Sequence, residues 1–134
     1  MEARLVIGGI MVMLAISTQA YGSSNPDFSK YPDFKGEAVR YGKSVWLLNC
    51  ETCHAYGVAD APNPAHPEEW RSRLAKGKSV LYEHAINGFF GPDDSMMPAR
   101  GGNENLSDND VRAAVDYMVE LANFYIQLED KQDD

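Results

Sequence analysis

The segment CETCH, residues 50–54, constrains this chain more than any other part of its sequence. It contains both cysteines of the 134-residue chain, three positions apart, with a histidine directly behind the second. Four chemistries use a thiol pair of this kind: a disulfide, a redox dithiol, a zinc site and covalent haem attachment. The fold therefore has to form around whichever bond these residues make.

The surrounding sequence favours haem attachment. A disulfide here closes a very small loop and restricts little of the unfolded chain. A thioredoxin-type dithiol is expected beside a βαβ pattern, and the sequence shows no strand. A structural zinc ion needs four protein ligands, and the remaining histidines, His66 and His84, stand alone. Haem attachment uses all three residues, since both thiols bond the porphyrin and His54 becomes an axial iron ligand.

The N-terminal segment predicts export. An uncharged run of 12 residues (5–16) follows Arg4. A transmembrane helix needs about 20 apolar residues, so the run has the length of a signal-peptide core. Small residues follow, and residues 20–22 (AYG) fit a cleavage site, although an uncleaved anchor is the alternative. We expect residues 1–22 to be a signal peptide and the mature protein to be periplasmic, with no membrane contact after cleavage.

Helical periodicity predicts an all-α domain over residues 35–126. A first helix leads into the cysteine motif, and Val39, Gly42 and Trp46 share one of its faces. Two short helices are expected near residues 67–77 and 79–87, separated by glycine. No segment alternates apolar and polar residues as a strand would, so no β-structure is predicted.

The last helix has the clearest signature. Ser107 is a favourable N-cap residue, and Asp110 occupies the partner position of a capping box. Apolar residues then recur at helical spacing as far as Tyr125. Outside the domain, we expect residues 23–34 to form an irregular leader over the surface and residues 127–134 to form a frayed acidic tail.

The net charge of −8 limits the possible partners. Cleavage after residue 22 removes one acidic and one basic residue, so the mature chain keeps this charge. Nucleic acid is excluded as a partner, because phosphate binding requires basic patches. The acidity keeps the chain soluble and favours protein partners with a basic docking face.

A six-coordinate haem iron needs a second axial ligand besides His54. The candidates are His66, His84, Met96, Met97 and Met118. Met118 lies on the apolar stripe of the last helix and is expected in the core. Pro98 restricts the backbone of the residue before it, which favours Met97 over Met96. The two histidines stay open as rivals.

These segments resemble the class I cytochromes c, most of all the bacterial periplasmic cytochrome c-five group. The similarity covers about residues 36–122. Its motifs are GKSVWLLNCETCHAYGVADAP around the haem motif, EEWRSRLAKG in the second helix, and HAING followed by MPARGGNENLSDNDVRAAVDYM in the methionine loop and last helix. The segment FFGPDDSM departs from the family, because it is longer than the usual link before the Met-Pro pair.

The resemblance implies a class I cytochrome c fold, in which the N- and C-terminal helices cross around one covalently bound haem c. It implies thioether bonds to Cys50 and Cys53. It also implies that His54 is the proximal and Met97 the distal iron ligand.

Further roles follow from the same resemblance. The backbone carbonyl of Pro62 is expected to orient the His54 ring. Trp70 and Arg73 are expected beside the haem edge or its propionates. The face of the first helix around Gly42 is expected to cross the last helix near Tyr117.

Two protein ligands leave the iron no free position for oxygen or peroxide, so one-electron transfer is the expected function. We expect a periplasmic monohaem carrier, not an enzyme, that exchanges electrons with redox protein partners. The alternative is a dedicated haem subunit of a larger oxidoreductase. A haem sensor or weak peroxidase is a third hypothesis, which requires a labile Met97.

Overall fold

The computed structural model describes residues 26–92 and 94–133. The predicted signal peptide (1–22) and the start of the leader (23–25) lie outside the described residues. The helices are α1 (Glu37–Asn49), α2 (Glu51–His54), α3 (Pro67–Leu74), α4 (Lys78–Asn87) and α5 (Asp108–Asp130). Short 3₁₀ turns lie at Val58–Asp60 and Ala99–Gly102. The mainly helical architecture confirms the predicted fold class.

The crossing of α1 and α5 at Gly42 is the centre of the fold. A Cβ atom on Gly42 would lie 2.0 Å from the backbone oxygen of Ala113 and 3.3 Å from Cβ of Tyr117. Only glycine therefore allows the two helices to approach so closely. Trp46, one turn further along α1, is fully buried, and its ring centroid lies 5.6 Å from that of Tyr117. The predicted crossing is confirmed.

The interior face of α5 completes this core. Leu121 and Ala122 are almost fully buried against α1 and α3. Met118 is 6% exposed, and its sulfur accepts a hydrogen bond from Trp46 Nε1 at 3.3 Å. Met118 is thus a core residue, as the apolar stripe predicts.

Helix α5 begins with the predicted capping box. Ser107 Oγ accepts from the backbone N–H of Asp110 at 3.2 Å, and Asp110 Oδ2 accepts from the backbone N–H of Ser107 at 2.8 Å. These two bonds satisfy helix N–H groups that have no partner within the helix.

The other end of α5 differs from the prediction. The helix continues to Asp130, so the fraying expected of the acidic tail does not apply to residues 127–130. Arg71 of α3 explains the difference, because its guanidinium lies 2.8 Å from Glu129 Oε2 and 2.6 Å from Asp130 Oδ1. A contact between distant segments cannot be seen in the local sequence.

The leader is irregular, as predicted, but it is part of the core and not a surface appendage. Tyr31 packs edge-on against Trp46 with centroids 4.9 Å apart. Phe34 packs against Tyr117 at 5.7 Å. The two aromatic side chains cover the outer side of the helix crossing.

Polar contacts fix the leader in this position. Lys43 is only 3% exposed, and its ammonium donates to the backbone oxygen of Tyr31 and to Asp33 Oδ1, both at 2.7 Å. The Tyr117 hydroxyl donates to the backbone oxygen of Pro32 at 3.0 Å. The leader therefore supplies acceptors for donors that the helix crossing buries.

The long loop before α5 contains a small antiparallel ladder, so the prediction of no β-structure was wrong here. Strand β1 (Phe89–Phe90) pairs with β2 (Met96–Met97), with Phe89 opposite Met97 and Phe90 opposite Met96. Strands of two residues are too short to show an alternating pattern. Within the described ranges, no helix is both long and apolar enough to span a membrane.

Candidate functional site

The CETCH segment forms a single helical turn at the end of α1. The N–H of Cys50 donates to the carbonyl of Trp46 at 2.8 Å, and the N–H of His54 donates to the carbonyl of Cys50 at 3.0 Å. Positions i, i+3 and i+4 lie on one side of a helix. This turn therefore presents Cys50, Cys53 and His54 in the same general direction.

The two thiols differ in their surroundings. Both are free, with Cys50 half-buried and Cys53 exposed. Burial raises the pKa of Cys50 to about 12, and the neighbouring Cys53 thiolate contributes in the same direction. Cys50 is consequently a poor nucleophile within the folded chain, since the thiolate is the reactive form.

His54 is buried and held by one backbone contact. Its Nδ1 lies 2.9 Å from the carbonyl oxygen of Pro62, close enough for Nδ1–H to donate. This leaves Nε2 with a free lone pair. Burial lowers the pKa of His54; the hydrogen bond to Pro62 acts against this shift, and the positive charge of Arg73 adds to it. The imidazole is therefore kept neutral, which is the form that binds metals.

A cavity of about 420 Å³ lies beside His54. Its apolar part includes Leu81 and Ala85 of α4 and Val115 and Met118 of α5. Five of the seven predicted site residues line it: His54, Pro62, Trp70, Arg73 and Met97. Segments far apart in the sequence thus meet around one space.

Cys50 borders a smaller adjoining space, while Cys53 lies at the surface. The smaller space shares His54 and Met97 with the large cavity. A group bound in these spaces would contact Cys50, whereas Cys53 lines neither space and lies at the surface on the same helical turn. Covalent attachment through Cys50 fits this arrangement, and attachment through Cys53 stays a prediction.

The structure separates the two adjacent methionines. Met97 packs against the buried cluster that contains Ala85 and Val111, and it borders both spaces beside His54. Met96 is 49% exposed and borders only the large cavity. Successive residues of a strand point in opposite directions. This geometry agrees with the preference for Met97 that Pro98 gives.

The rival histidines occupy different places. His66 lies at the start of α3, where Nδ1 is 2.9 Å from Glu69 Oε1, and it does not line the cavity. His84 does line the cavity, and its ring stacks on that of Phe89 with centroids 4.0 Å apart and planes 18° apart. Local sequence patterns do not predict this stacking, because it depends on the ladder that positions Phe89.

An unsatisfied buried donor tests whether the cavity suits a haem. Trp70 is 2% exposed, and its Nε1 is the buried side-chain nitrogen without a hydrogen-bond partner in the part of the chain that the structure describes. Leaving such a donor unpaired costs about 1–3 kcal/mol. Trp70 and the cationic Arg73 line the same cavity. A carboxylate on the bound group, such as a haem propionate, fits this pair of donors.

A family model matches residues 37–118, which include the cysteine motif, the cavity and most of α5. The model is described as cytochrome c oxidase, cbb3-type, subunit III. It covers more than half of the chain and ends within α5.

Several characterised proteins are similar to the same region. Cytochrome c-555 of Prosthecochloris aestuarii is 41% identical over 81 residues, which are 58% of this chain and 82% of that protein. Cytochrome c-555 of Chlorobaculum tepidum is 41% identical over 63% of this chain and 81% of its own length. Cytochrome c5 of Azotobacter vinelandii is 29% identical over 62% of this chain and 96% of its own length. The resemblance to the c-five group is confirmed, and the c-555 proteins share more identity.

A solved structure also matches. It is a chain in the crystal structure of an electron transfer complex of nitrite reductase with cytochrome c. The match has a TM-score of 0.54 and 35% sequence identity, and it covers 61% of this chain and 94% of the other.

Proposed function

Because the chain belongs to the class I cytochromes c, we propose that it is an exported carrier of single electrons between redox proteins. Like its c-555 and c5 relatives, it is a small monohaem cytochrome that carries haem c. The observation that carries the proposal is the cavity beside the CETCH turn, which His54 and Met97 both line. The bound haem supplies an iron that gains and loses one electron.

We assign the covalent bonds to Cys50 and Cys53 and the proximal position to His54. The Pro62 carbonyl fixes the tautomer of His54 by accepting from Nδ1–H. It also limits rotation of the ring, as hydrogen bonds to metal-bound histidines generally do. Pro62 is therefore a positioning residue for the axial ligand.

Met97 is assigned to the distal position. A thioether is a soft, neutral ligand and raises the reduction potential relative to a second histidine. With His54 and Met97 both bound, no coordination position is open to a substrate. The chain is thus proposed to act without enzymatic turnover of its own.

Trp70 and Arg73 are proposed to bind the haem propionates. The buried indole N–H of Trp70 has no acceptor among the described residues. Arg73 lines the same cavity and offers a charge-assisted donor. These contacts orient the haem and balance part of its negative charge.

The proposed partners are redox proteins with a basic docking face. The net charge of −8 supports long-range attraction to such a face. The cytochrome c in the matched crystal structure forms an electron transfer complex with nitrite reductase, and a redox enzyme of that kind is a suitable partner class. The signal-peptide features of residues 1–22 support a periplasmic location.

The family model is named for an oxidase subunit, which favours one alternative. The chain could serve as the permanent haem subunit of a larger oxidoreductase. Size-exclusion chromatography of native extracts separates the two functions, because a carrier elutes at the mass of the free chain and a subunit elutes with its complex.

Absorption spectra of the purified protein test the proposal. We expect a c-type spectrum, haem that stays with the denatured protein through acid–acetone extraction, and a weak band at the red end of the oxidised spectrum from sulfur-to-iron charge transfer. Haem that is extracted by acid–acetone would contradict covalent attachment.

Two adjacent substitutions test the distal ligand. Met97→Ala should abolish the red band, lower the reduction potential and open the iron to carbon monoxide. Met96→Ala is the matched control, because it removes the same side chain one residue away, and should do none of these. A loss of the band in the Met96 variant alone would reassign the ligand.

A further inference from the structure

We propose that the exposed pair Phe90 and Met96 is the surface on which redox partners dock, and that it fits the apolar rim around a partner protein's own cofactor. This inference rests on the proposed electron-carrier function and names the contact through which that function is performed. Phe90 and Met96 lie opposite each other on β1 and β2. We call them the hairpin pair.

The hairpin pair is unusually exposed for apolar residues. Phe90 is 82% exposed, more than the other large hydrophobic side chains of the described residues, and Met96 is 49% exposed. Single exposed hydrophobic side chains are common and need no function. Here, however, two of them are adjacent across a ladder, which makes a continuous apolar surface.

The hairpin pair is held rigidly at the rim of the cavity. Phe89, beside Phe90, is stacked on His84, and Met97, beside Met96, packs into the core. The strand ends are joined by the hydrogen bond from Gly91 N–H to the carbonyl of Ser95 at 2.9 Å. A contact surface that is already ordered loses little entropy when a partner binds.

The position of the pair suits electron transfer. The residues on either side of it, Phe89, Gly91 and Met97, all line the cavity, as does Met96 itself. Met97, the proposed iron ligand, is the neighbour of Met96 in the chain. A partner that covers the hairpin pair is therefore brought against the mouth of the haem site.

The charged residues near the hairpin pair bear on how a partner approaches it. The charged residues among those that line the cavity are Asp60, Arg73 and Lys76, of both signs. The loop that joins the two strands also contains Asp93 and Asp94, so acidic residues lie beside the hairpin pair in the sequence. We infer that net charge guides the approach of a partner, whereas the hairpin pair makes the contact.

The size of the patch sets the lifetime of the complex. Side chains with these exposures offer on the order of 250 Å². A standard stable interface buries about 800 Å² on each partner. The contact is consequently transient, as a carrier that must leave its partner requires.

Electron self-exchange between two copies tests the proposal without a known partner. A second copy has an apolar rim beside its own haem, so it is the probe. The rate is measured by NMR line broadening in mixtures of oxidised and reduced holoprotein at increasing salt. The self-exchange rate should rise with salt, because salt screens the repulsion between the two acidic copies. At high salt the rate should reach a plateau that depends on the apolar contact between the copies.

We expect Phe90→Ser to lower this plateau about 10-fold, as loss of a central apolar contact does. Met96→Ser should lower it to a smaller extent. Phe28→Ser is the matched control, since Phe28 is 47% exposed in the leader and does not line the cavity, and its plateau should stay within about 2-fold of the wild type.

Three results would overturn the proposal. The first is an unchanged plateau rate for Phe90→Ser, and the second is an equal loss of rate for Phe28→Ser. The third is a loss of rate for Phe90→Ser together with an altered red band, which would mean that the iron ligand had moved. The spectra distinguish this failure from failure of the electron-carrier function. A wild type without covalent, methionine-ligated haem would refute the carrier mechanism, whereas a normal wild type with an unaffected Phe90 variant refutes only the docking surface.

Discussion

The helix crossing and the cavity are two halves of one small domain, and they are filled in different ways. At the crossing, the two helices approach so closely that a Cβ atom on Gly42 would lie 2.0 Å from the backbone of α5. At the cavity, α4, α5 and the ladder enclose about 420 Å³ that no side chain fills. One half is complete in the polypeptide, and the other half depends on the haem.

This difference indicates which half limits stability. Without haem, the side chains around this space have no packing partner on one side, and each packing contact that is missing lowers the stability of the fold. The total stability of a domain is about 5–15 kcal/mol. The crossing alone is therefore not expected to keep the chain folded without haem.

The largest effect is expected when the haem cannot attach. The double variant Cys50→Ala with Cys53→Ala should contain no covalent haem and should be largely unfolded, with a flat near-ultraviolet circular dichroism spectrum. Thr52→Ala, in the same turn, keeps both thiols and His54 and should fold normally. A native-like spectrum from the haem-free variant would show that the crossing is sufficient by itself.

The next largest effect tests the crossing directly. Gly42→Ala forces a methyl group against the backbone of Ala113 and should destabilise the holoprotein by about 3 kcal/mol. Gly57→Ala makes the same chemical change where no atom lies within 4 Å of the new Cβ. Gly57→Ala should lower the free energy of unfolding by about 1 kcal/mol, because the only penalty is the positive φ of 66°. Thermal unfolding measures both.

Equal losses of stability in the two glycine variants would mean that the close approach of α1 and α5 contributes little. The visible spectrum should stay normal in both variants, because neither residue lines the cavity. A changed spectrum in Gly42→Ala would show that the two halves are not independent.

A third substitution tests whether the leader belongs to the crossing. Lys43→Met removes the ammonium that holds Tyr31 and Asp33, and should destabilise the protein by about 2 kcal/mol, the usual value for hydrogen bonds to a charged group. Limited proteolysis should then cut the leader. Lys35→Met, the same change at an exposed site, should leave both the stability and the cleavage pattern unchanged.

The smallest effect concerns pH. Hydrogen bonds from Tyr41 and Ser107 lower the pKa of Asp110 below its ordinary value of 3.8. A carboxyl group with a lowered pKa stabilises the fold above its unfolded pKa, and the contribution disappears as the pH falls through the folded pKa. Asp110→Asn should therefore be less stable than the wild type at pH 7, and the difference should shrink as the pH falls below 3.8 and through the lowered pKa of Asp110.

Urea unfolding at several pH values measures this effect. Asp133→Asn, which removes a carboxyl group from the tail, should follow the wild type at every pH. A constant difference between Asp110→Asn and the wild type down to pH 2 would assign the effect to the side-chain shape instead of the charge.

The features that were predictable from the sequence are those that depend on residues close together in the chain. The capping box at Ser107 and Asp110, the apolar stripe of α5 and the spacing of Cys50, Cys53 and His54 each involve residues within a few positions of one another. The structure contains all three as expected. The preference for Met97 is of the same kind, since it came from the next residue, Pro98.

The features that were missed depend on partners far away in the chain. Lys43 has the appearance of an exposed helical lysine until Tyr31 and Asp33 fold over it. The ladder has strands of two residues, which are too short for any periodicity. The end of α5 stays helical because Arg71 binds it. In each case the decisive contact joins segments that only the tertiary fold brings together.

The helix crossing also fixes the order of events when the protein is made. Residue 42 can meet residue 113 only after nearly the whole domain has emerged, and contacts between distant segments form late. Until then, the CETCH segment is already available while α5 is absent. Once the domain closes, Cys50 is half-buried and its pKa is about 12, so it reacts poorly. Because the haem-free chain is not expected to stay folded, haem attachment to the accessible motif comes first, and the crossing of α1 and α5 follows it.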